Sequence, residues 1–207
     1  MILDKKCKKC RSLSRKLFLK GDKCLSDKCP LTKKPYPPGK AKGKKKHSRT
    51  LSTYEQQLIS KKEIKLAYGL TEKQLKRFYK EALKTKKSTP ERLAQLLELK
   101  IDSVIFSLGL AKSKKEARQL INHGHFLLNN RRHTIPSTVL KVGDVITLRP
   151  QSKDQKLFKE LLEKNKKTNI PQWIDFDPNS YKATIKALPD ISQISYNFEA
   201  VIESFSR

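Results

Sequence analysis

The run from Ser113 to His125 constrains the fold of this chain most, because it carries the signals of a short amphipathic helix. Ser113 is a favourable N-cap, and Glu116 three residues later completes the pattern of a capping box. The next apolar residues have helical spacing and form one stripe: Ala117, Leu120 and Ile121. Gly124 follows directly, where glycine commonly ends a helix. We therefore predict a helix with an apolar side that packs in a core and a cationic side opposite to it.

The flanking residues extend this helix into a small unit. Apolar residues recur with helical spacing from Ile101 to Leu108, and Gly109 ends that pattern. Downstream, Phe126–Leu128 is a short apolar run, and Asn129-Asn130 is a dipeptide that tolerates the positive φ of a tight turn. The segment Val142–Leu148 has a turn dipeptide followed by strand-forming residues. The pattern predicts two helices followed by a small sheet.

The charge of the chain is large, positive and unevenly distributed. The formal net charge is +27 and the isoelectric point is about 10.0. Residues 1–50 carry 18 basic and 3 acidic side chains, whereas residues 151–207 carry 9 and 8. This distribution indicates a polyanionic partner for the first part of the chain and packing against protein for the last part. No apolar run reaches the ~20 residues of a membrane span, and the N-terminus lacks the apolar core of a signal peptide. We therefore expect a protein of a reducing compartment, the cytoplasm, with an organelle left open as the alternative, and with no membrane and no small-molecule substrate among its partners.

Four cysteines occur as two pairs near the start of the chain, Cys7 with Cys10 and Cys24 with Cys29. Two close pairs separated by a short loop match the ligand set of tetrahedral zinc. Disulfides are the alternative, which a lysine-rich chain in a reducing compartment disfavours. We predict one structural Zn²⁺, because four thiolates leave no open position for a reacting water molecule.

Prolines and lysines dominate residues 30–50 and predict an extended arm. The prolines prevent regular structure and the lysines repel one another, so the arm would become ordered on RNA by neutralising phosphates. The residues predicted to bind RNA in this stretch are Lys33, Lys34, Tyr36, Lys40, Lys42, Lys44, Lys45, Lys46, His47 and Arg49.

Helical signals resume after the arm. The patterns predict helices that begin near Ser52, at Thr71 and at Thr89. A mixed-charge helix is predicted over residues 154–167, followed by an irregular tail with strand-like pieces that reaches Ile202.

A family resemblance becomes visible once these residues are in place. The string Ala117-Arg118-Gln119-Leu120 followed by His123-Gly124-His125, Ile135-Pro136-Ser137 and Gly143-Asp144 resembles the small RNA-binding domain of the S-four type. That domain occurs in the fourth small-subunit ribosomal protein and also in RNA-modifying enzymes and a tRNA synthetase. The domain implies structured RNA as partner, and it leaves the choice among these hosts open.

The rest of the chain resembles one of these hosts. The paired cysteines, Lys34-Pro35-Tyr36-Pro37-Pro38-Gly39, Tyr68-Gly69 and the ending Ser206-Arg207 are similar to the zinc-bearing bacterial form of the S-four ribosomal protein family. The resemblance implies a structural, non-enzymatic constituent of the small ribosomal subunit. It also implies early binding of the small-subunit ribosomal RNA, nucleation of subunit assembly, an effect on decoding accuracy, and contacts with neighbouring ribosomal proteins and with messenger RNA where it enters the subunit. Lys100 and Asn130 depart from the family, which has arginine and glycine there.

These observations predict an α+β fold in four parts. The parts are a zinc knuckle with a basic arm (1–50), a helical domain (51–97) completed by the C-terminal tail, an S-four domain of helices packed on a short antiparallel sheet (98–150), and a helix with a tail that packs on the other domains (151–207).

The central RNA face is predicted on the amphipathic helix and on the turn after Phe126–Leu128. Its residues are Lys112, Ser113, Lys114, Lys115, Arg118, Gln119, His123, Arg131 and Arg132. For His123 and His125 the patterns fit RNA contact and a structural role equally. Two alternatives to the ribosomal function stay open, an RNA-processing or RNA-modification accessory protein and a zinc-dependent regulator that binds DNA.

Overall fold

A computed structural model describes residues 5–39, 50–85, 88–153, 155–165, 170–190 and 194–206. The chain divides into two compact units, which are described separately below. The first unit contains Met1–Leu93 together with Ser195–Arg207, and the second contains Ala94–Ile194. The first unit is therefore discontinuous in sequence.

Helices and strands alternate in a mixed order along the described chain. The helices are α1 (Lys6–Leu13), α2 (Asp22–Leu25), α3 (Pro30–Lys33), α4 (Thr53–Ala67), α5 (Glu72–Leu83), α6 (Thr89–Glu98), α7 (Ile101–Ser107), α8 (Lys114–Asn122), α9 (Pro150–Lys153), α10 (Lys156–Asn165) and α11 (Phe198–Ser206). The strands are β1 (Phe126–Leu128), β2 (Arg131–His133), β3 (Val145–Leu148), β4 (Ile174–Asp177) and β5 (Lys182–Ile185). The predicted mixture of helices with a short antiparallel sheet is confirmed.

The second unit packs α7 and α8 with an antiparallel sheet of order β2-β1-β3-β5-β4. In β1 and β2, Phe126 pairs with His133 and Leu128 with Arg131. In the core, buried apolar residues of α7 and α8 join those of β1, β3, β4 and β5 in one cluster. The strands β4 and β5 come from the segment predicted as an irregular tail, so two of its strand-like pieces are strands of this sheet. Sequence analysis did not predict that they join it.

The first unit is built around α4, α5 and α11. Reciprocal capping boxes begin α4 at Ser52 and α5 at Thr71, at the positions that the sequence predicted for the start of these helices. The ring of Tyr79 on α5 stacks on Phe205 of α11 at 4.9 Å between centroids. Gln57 of α4 donates a hydrogen bond to the Glu203 carboxylate of α11 at 2.7 Å.

The prediction for the end of the chain was wrong in one respect. Residues from Ile194 to Ile202 were expected to be irregular or strand-like, whereas Phe198–Ser206 is a helix. Phe198 and Val201 lie one turn apart and are both buried. The side chain of Asn197 accepts a hydrogen bond from the backbone N–H of Ala200 at 3.0 Å, as an N-cap does. This local cap and the apolar face of the helix outweigh the strand preference of the β-branched residues.

The predicted helix over 154–167 is confirmed between Lys156 and Asn165. Within the described parts of the chain, no helix combines the length and the apolar character that crossing a membrane requires.

Candidate nucleic-acid interface and cysteine cluster

The helix α8 has the two sides that the sequence predicted. Ala117, Leu120 and Ile121 are buried in the core of the second unit. The Ser113 hydroxyl accepts a hydrogen bond from the backbone N–H of Glu116 at 3.3 Å, which confirms the N-cap. The Glu116 carboxylate accepts from the N–H of Lys112 at 2.6 Å, one residue before the position that a capping box requires. The predicted capping box is therefore half formed, because this carboxylate reaches one residue too far.

Part of the predicted RNA face is exposed on and beside α8. The exposed side chains are Lys112, Lys115, Gln119 and His123. Ser113 belongs to the same predicted face, yet the residue is buried and its hydroxyl caps the helix. The arrangement gives a polyanion two lysines, an amide and an imidazole along one helix.

Lys114 and Arg118 of the same helix are less exposed and form ion pairs with carboxylates. The ammonium group of Lys114 lies 3.7 Å from the Glu98 carboxylate, and its side chain is only 18% exposed. Burial lowers the pKa of Lys114, although Glu98 beside it acts in the opposite direction. The guanidinium group of Arg118 lies 3.7 Å from Asp102, and 31% of its side chain is exposed.

A buried ion pair lies beneath Arg118. The Lys100 ammonium group lies 3.1 Å from the Asp102 carboxylate, and the two side chains are 0% and 3% exposed. Burial lowers the pKa of Lys100, while the Asp102 charge raises it in part. Asp102 therefore contacts one fully buried cation and one cation at the predicted RNA face. Lys100 departs from the family in sequence, but no sequence pattern predicted this pairing.

The hairpin of β1 and β2 presents the two arginines of the predicted face. Asn129 and Asn130 have φ values of 49° and 64°, which confirms the predicted turn. The side chain of Asn129 donates to the Asp144 carboxylate at 2.9 Å and accepts from the N–H of Val145 at 2.9 Å, so the turn is held to β3. Arg131 and Arg132 are both exposed, and strand alternation directs them to opposite faces of the sheet.

His125 has a structural position. Its Nδ1 lies 2.9 Å from the Ser152 hydroxyl, and its ring meets the edge of Phe158 at 5.6 Å between centroids. Burial lowers the pKa of His125, and the neighbouring charges of His123 and Arg149 lower it further. RNA contact and a structural role were equally open for both histidines. The structure distinguishes them, because His123 is exposed and His125 is packed.

The four cysteines lie around one small pocket in the first unit. Its lining includes all four cysteine side chains together with Lys20 and Lys23. None of the four forms a disulfide. Within the described residues, no three histidine, cysteine, aspartate or glutamate side chains stand where they could share a metal ion. The cysteines are thus neighbours whose sulfur atoms do not define a coordination polyhedron.

Backbone N–H groups point at three of the thiols. The N–H of Lys20 donates to the Sγ of Cys24 at 3.4 Å. Burial raises the pKa of Cys10, against a hydrogen bond from the backbone of Leu17. Burial acts in the same direction on Cys29, but backbone hydrogen bonds from α3 outweigh it and lower the pKa of that thiol. These donors stabilise negative charge on sulfur.

The start of the basic arm is fixed to α1, and the prediction of an extended chain was wrong for Pro30–Lys33, which is a short helix with proline at its first position. The Nε of Arg11 donates to the carbonyl oxygens of Lys34 and Tyr36 at 3.0 and 3.1 Å, and its guanidinium carbon lies 4.8 Å from the centre of the Tyr36 ring. Lys33 and Lys34 are exposed nearby. The remaining predicted arm residues lie outside the described residues: Lys40, Lys42, Lys44, Lys45, Lys46, His47 and Arg49.

Two family models together match most of the chain. Residues 2–98 match the ribosomal protein S4/S9 N-terminal domain, and residues 99–146 match the S4 domain. The second match covers α7, α8, β1, β2 and the start of β3.

Full-length relatives agree with these matches. The chain is 38% identical to the small ribosomal subunit protein uS4 of Thermotoga petrophila, over 97% of this chain and 96% of the relative. It is 38% identical to uS4 of Syntrophomonas wolfei and 40% identical to uS4A of Nitrosomonas europaea, each over 99% of this chain and 98% of the relative. The chain belongs to the uS4 family of small ribosomal subunit proteins.

Proposed function

We propose that this protein is a structural constituent of the small ribosomal subunit that binds small-subunit ribosomal RNA. The observation that carries the proposal is the exposed cationic side of α8, whose opposite side is buried in the core of the second unit. The full-length relatives are named as small ribosomal subunit proteins, which supports the same function.

The side chains favour recognition of phosphates and of RNA shape. Lysine and arginine bind phosphates, which position a protein on RNA without reading its sequence. In this proposal the exposed cations of the second unit contribute most, namely Lys112, Lys115, Arg131 and Arg132. Lys114, with its buried ion pair to Glu98, contributes mainly by holding α8 in place.

The finer family roles belong to the same proposal. An S-four protein bound early to folded RNA would nucleate assembly of the subunit. Contacts with neighbouring ribosomal proteins and with messenger RNA near its point of entry would account for an effect on decoding accuracy. A cytoplasmic ribosome is the proposed location.

A binding titration against salt tests the RNA proposal. We expect tight binding of the full-length protein to small-subunit ribosomal RNA, with affinity that falls steeply as salt rises. The variant Lys112→Gln/Lys115→Gln should make the negative slope of log K against log[salt] shallower, by roughly 0.7–0.9 per lost phosphate contact. The control Lys156→Gln/Lys182→Gln removes the same charge from exposed positions outside α8 in the same unit and should leave the slope nearly unchanged.

Three results would contradict the proposal. They are an affinity that does not change with salt, equal changes of the salt slope in the α8 variant and in its control, and tighter binding to duplex DNA than to the folded RNA. Sedimentation of a tagged copy with small subunits is the corresponding test in cells, and multiple-turnover modification of RNA by the purified protein would favour an enzyme instead.

We also propose that Cys7, Cys10, Cys24 and Cys29 hold one structural Zn²⁺, whose binding would draw the four sulfur atoms closer together. The donor set supports this proposal: four thiols of one pocket, N–H donors to three of them, and Lys20 and Lys23 in the pocket lining to offset the charge of −2 of a four-thiolate site. Zinc would supply cross-links that fold the segment around a small apolar cluster.

Metal analysis of the purified protein tests the zinc proposal. We expect one zinc per chain, and Cys24→Ser should release it and loosen residues 5–39. Ser12→Ala, an exposed position on α1, is the control that should retain the metal. Absence of zinc from protein prepared without chelators would refute the proposal.

A further inference from the structure

The guanidinium group of Arg132 lies against the backbone of Gly124. A methyl group built on the Cα of Gly124 would lie 2.8 Å from Nη2 and 3.0 Å from Cζ of Arg132, and closer still to Nε. Such distances are too short for a carbon atom and a guanidinium group. Gly124 itself is buried, although it follows the end of a surface helix and its neighbour His123 is exposed. Arg132 therefore occupies the space that any side chain at position 124 would need.

The backbone at this point is the C-terminal end of α8. The N–H of Gly124 donates to the carbonyl of Ile121 at 2.8 Å, and the N–H of His125 donates to that of Leu120 at 3.3 Å. The carbonyl end of a helix carries partial negative charge and attracts a cation. Arg132 reaches this end from β2, where it pairs with Leu127 of β1. The hairpin that directly follows α8 thus brings one guanidinium group back to the end of the cationic helix.

We propose that Gly124 is a positioning residue whose missing side chain sets the place of the Arg132 guanidinium group on the RNA-binding face. The inference rests on the proposed RNA-binding function and deepens it. A planar guanidinium group binds a phosphate with two hydrogen bonds only when its plane is fixed, so its support determines how much it contributes. The close packing against Gly124 and the helix end provide that support.

A glycine with the same backbone requirement supplies the matched control. Gly124 has a φ of +74° and Gly143 has a φ of +93°, so alanine is strained at both positions. Nothing lies within 4 Å of a methyl group built on Gly143. Gly124→Ala and Gly143→Ala therefore share the backbone cost, and only Gly124→Ala displaces a guanidinium group. Because that group ends a flexible side chain, it moves aside and the fold is retained.

Salt-dependent binding to small-subunit ribosomal RNA distinguishes these variants. We expect Gly124→Ala to weaken binding about five- to tenfold and to lower the salt slope by about 0.7–0.9, one phosphate contact. Gly143→Ala should lose stability to a similar degree and keep the affinity and slope of the parent protein. Arg132→Gln, which leaves the backbone intact, should reproduce the change in slope. In the Arg132→Gln background, Gly124→Ala should weaken binding no further.

The outcomes separate this inference from the function on which it rests. If the parent protein binds the RNA and Arg132→Gln weakens binding, but Gly124→Ala binds like Gly143→Ala, the positioning role is wrong. The inference is also overturned if Arg132→Gln binds like the parent, or if the two substitutions weaken binding independently. A further outcome is that Gly124→Ala fails to fold while Gly124→Ala/Arg132→Gln folds. The two side chains then clash, but the Arg132 side chain does not move aside to relieve the clash. The inference is overturned in that case. Failure of the parent protein to bind the RNA would instead defeat the proposed function.

Discussion

The core of the second unit and the apolar cluster beside the cysteines differ in extent. In the second unit, three helices (α7, α8 and α10) and four strands contribute buried residues to one continuous cluster, from Leu99 to Ile185. Beside the cysteines, the cluster consists of Cys10, Leu17, Leu19 and Leu66, with Leu13 at its edge. Stabilisation by burial scales with the apolar area removed from water, so burial stabilises the core of the second unit more than the cluster beside the cysteines. The proposed zinc would add cross-links where the buried cluster is small.

A large-to-small substitution in the larger core should have the greatest effect. Phe126 is fully buried and meets the edge of Phe158 at 6.1 Å between ring centroids. Phe126→Ala should lower the free energy of unfolding by about 3–5 kcal/mol, because it removes apolar contacts and leaves a cavity. Urea unfolding followed by Trp173 fluorescence measures this loss, since the only tryptophan packs against the same core. Ile135→Ala, at a position 58% exposed, is the control and should change stability by less than about 0.5 kcal/mol.

The second-largest loss of stability is expected from breaking the buried ion pair of Lys100 and Asp102. Asp102→Ala would remove a carboxylate that lies 3.1 Å from the buried Lys100 ammonium group and should cost about 3 kcal/mol. Replacement of both residues, Lys100→Met/Asp102→Leu, should recover most of the loss. The exposed pair of Lys186 and Asp175, whose side chains are 59% and 60% exposed, is the control, and Asp175→Ala should cost under about 1 kcal/mol. Equal losses in the two alanine variants would show that burial of the pair is irrelevant.

The smaller cluster should respond less to truncation. Leu17 is 5% exposed, and Leu17→Ala should cost about 2 kcal/mol, since few neighbours define its cavity. Leu25→Ala, at a position 74% exposed, should be nearly neutral. Thermal unfolding followed by circular dichroism, with and without a zinc chelator, measures both. If Leu17→Ala matches Phe126→Ala in cost, the two regions are stabilised alike and the comparison fails.

The smallest effect concerns pH. Because burial lowers the pKa of His125 in the folded protein, the unfolded chain takes up a proton first as pH falls. Stability should therefore decrease from the ordinary histidine pKa, about 6.5, down to the folded value, and it should level off below that. His125→Asn should reduce this decrease in urea titrations at pH 7 and pH 5, whereas His123→Asn, an exposed position, should reduce it less. A pH response unchanged by His125→Asn would contradict the assignment.

Local signals in the sequence were sufficient where one short segment determines the structure. The cap at Ser113, the apolar stripe of α8 and the turn at Asn129-Asn130 were all predicted and are all present. The helix α11 was missed because Ile194–Ile202 was judged by its β-branched residues, although Asn197 carries a recognisable cap signal.

Features that depend on the tertiary fold were not predictable from such local signals. The addition of β4 and β5 to the sheet is set by pairing across more than thirty residues, such as Ile146 with Ala183. The burial of Lys114 against Glu98 and the packing of Arg132 on Gly124 depend on the tertiary fold. Side-chain type identified the cations of the candidate face, and only the tertiary fold separates the exposed cations from those that pair with carboxylates beneath the surface.

The discontinuity of the first unit has a consequence for how the protein is made. Residues 94–194 interrupt that unit, and its helix α11 is synthesised after them. Since domains fold as they leave the ribosome, the inserted unit can reach its native state while α4 still lacks its partner helix. The first unit therefore stays incomplete until the residues of α11, which follow the whole inserted unit, have been synthesised.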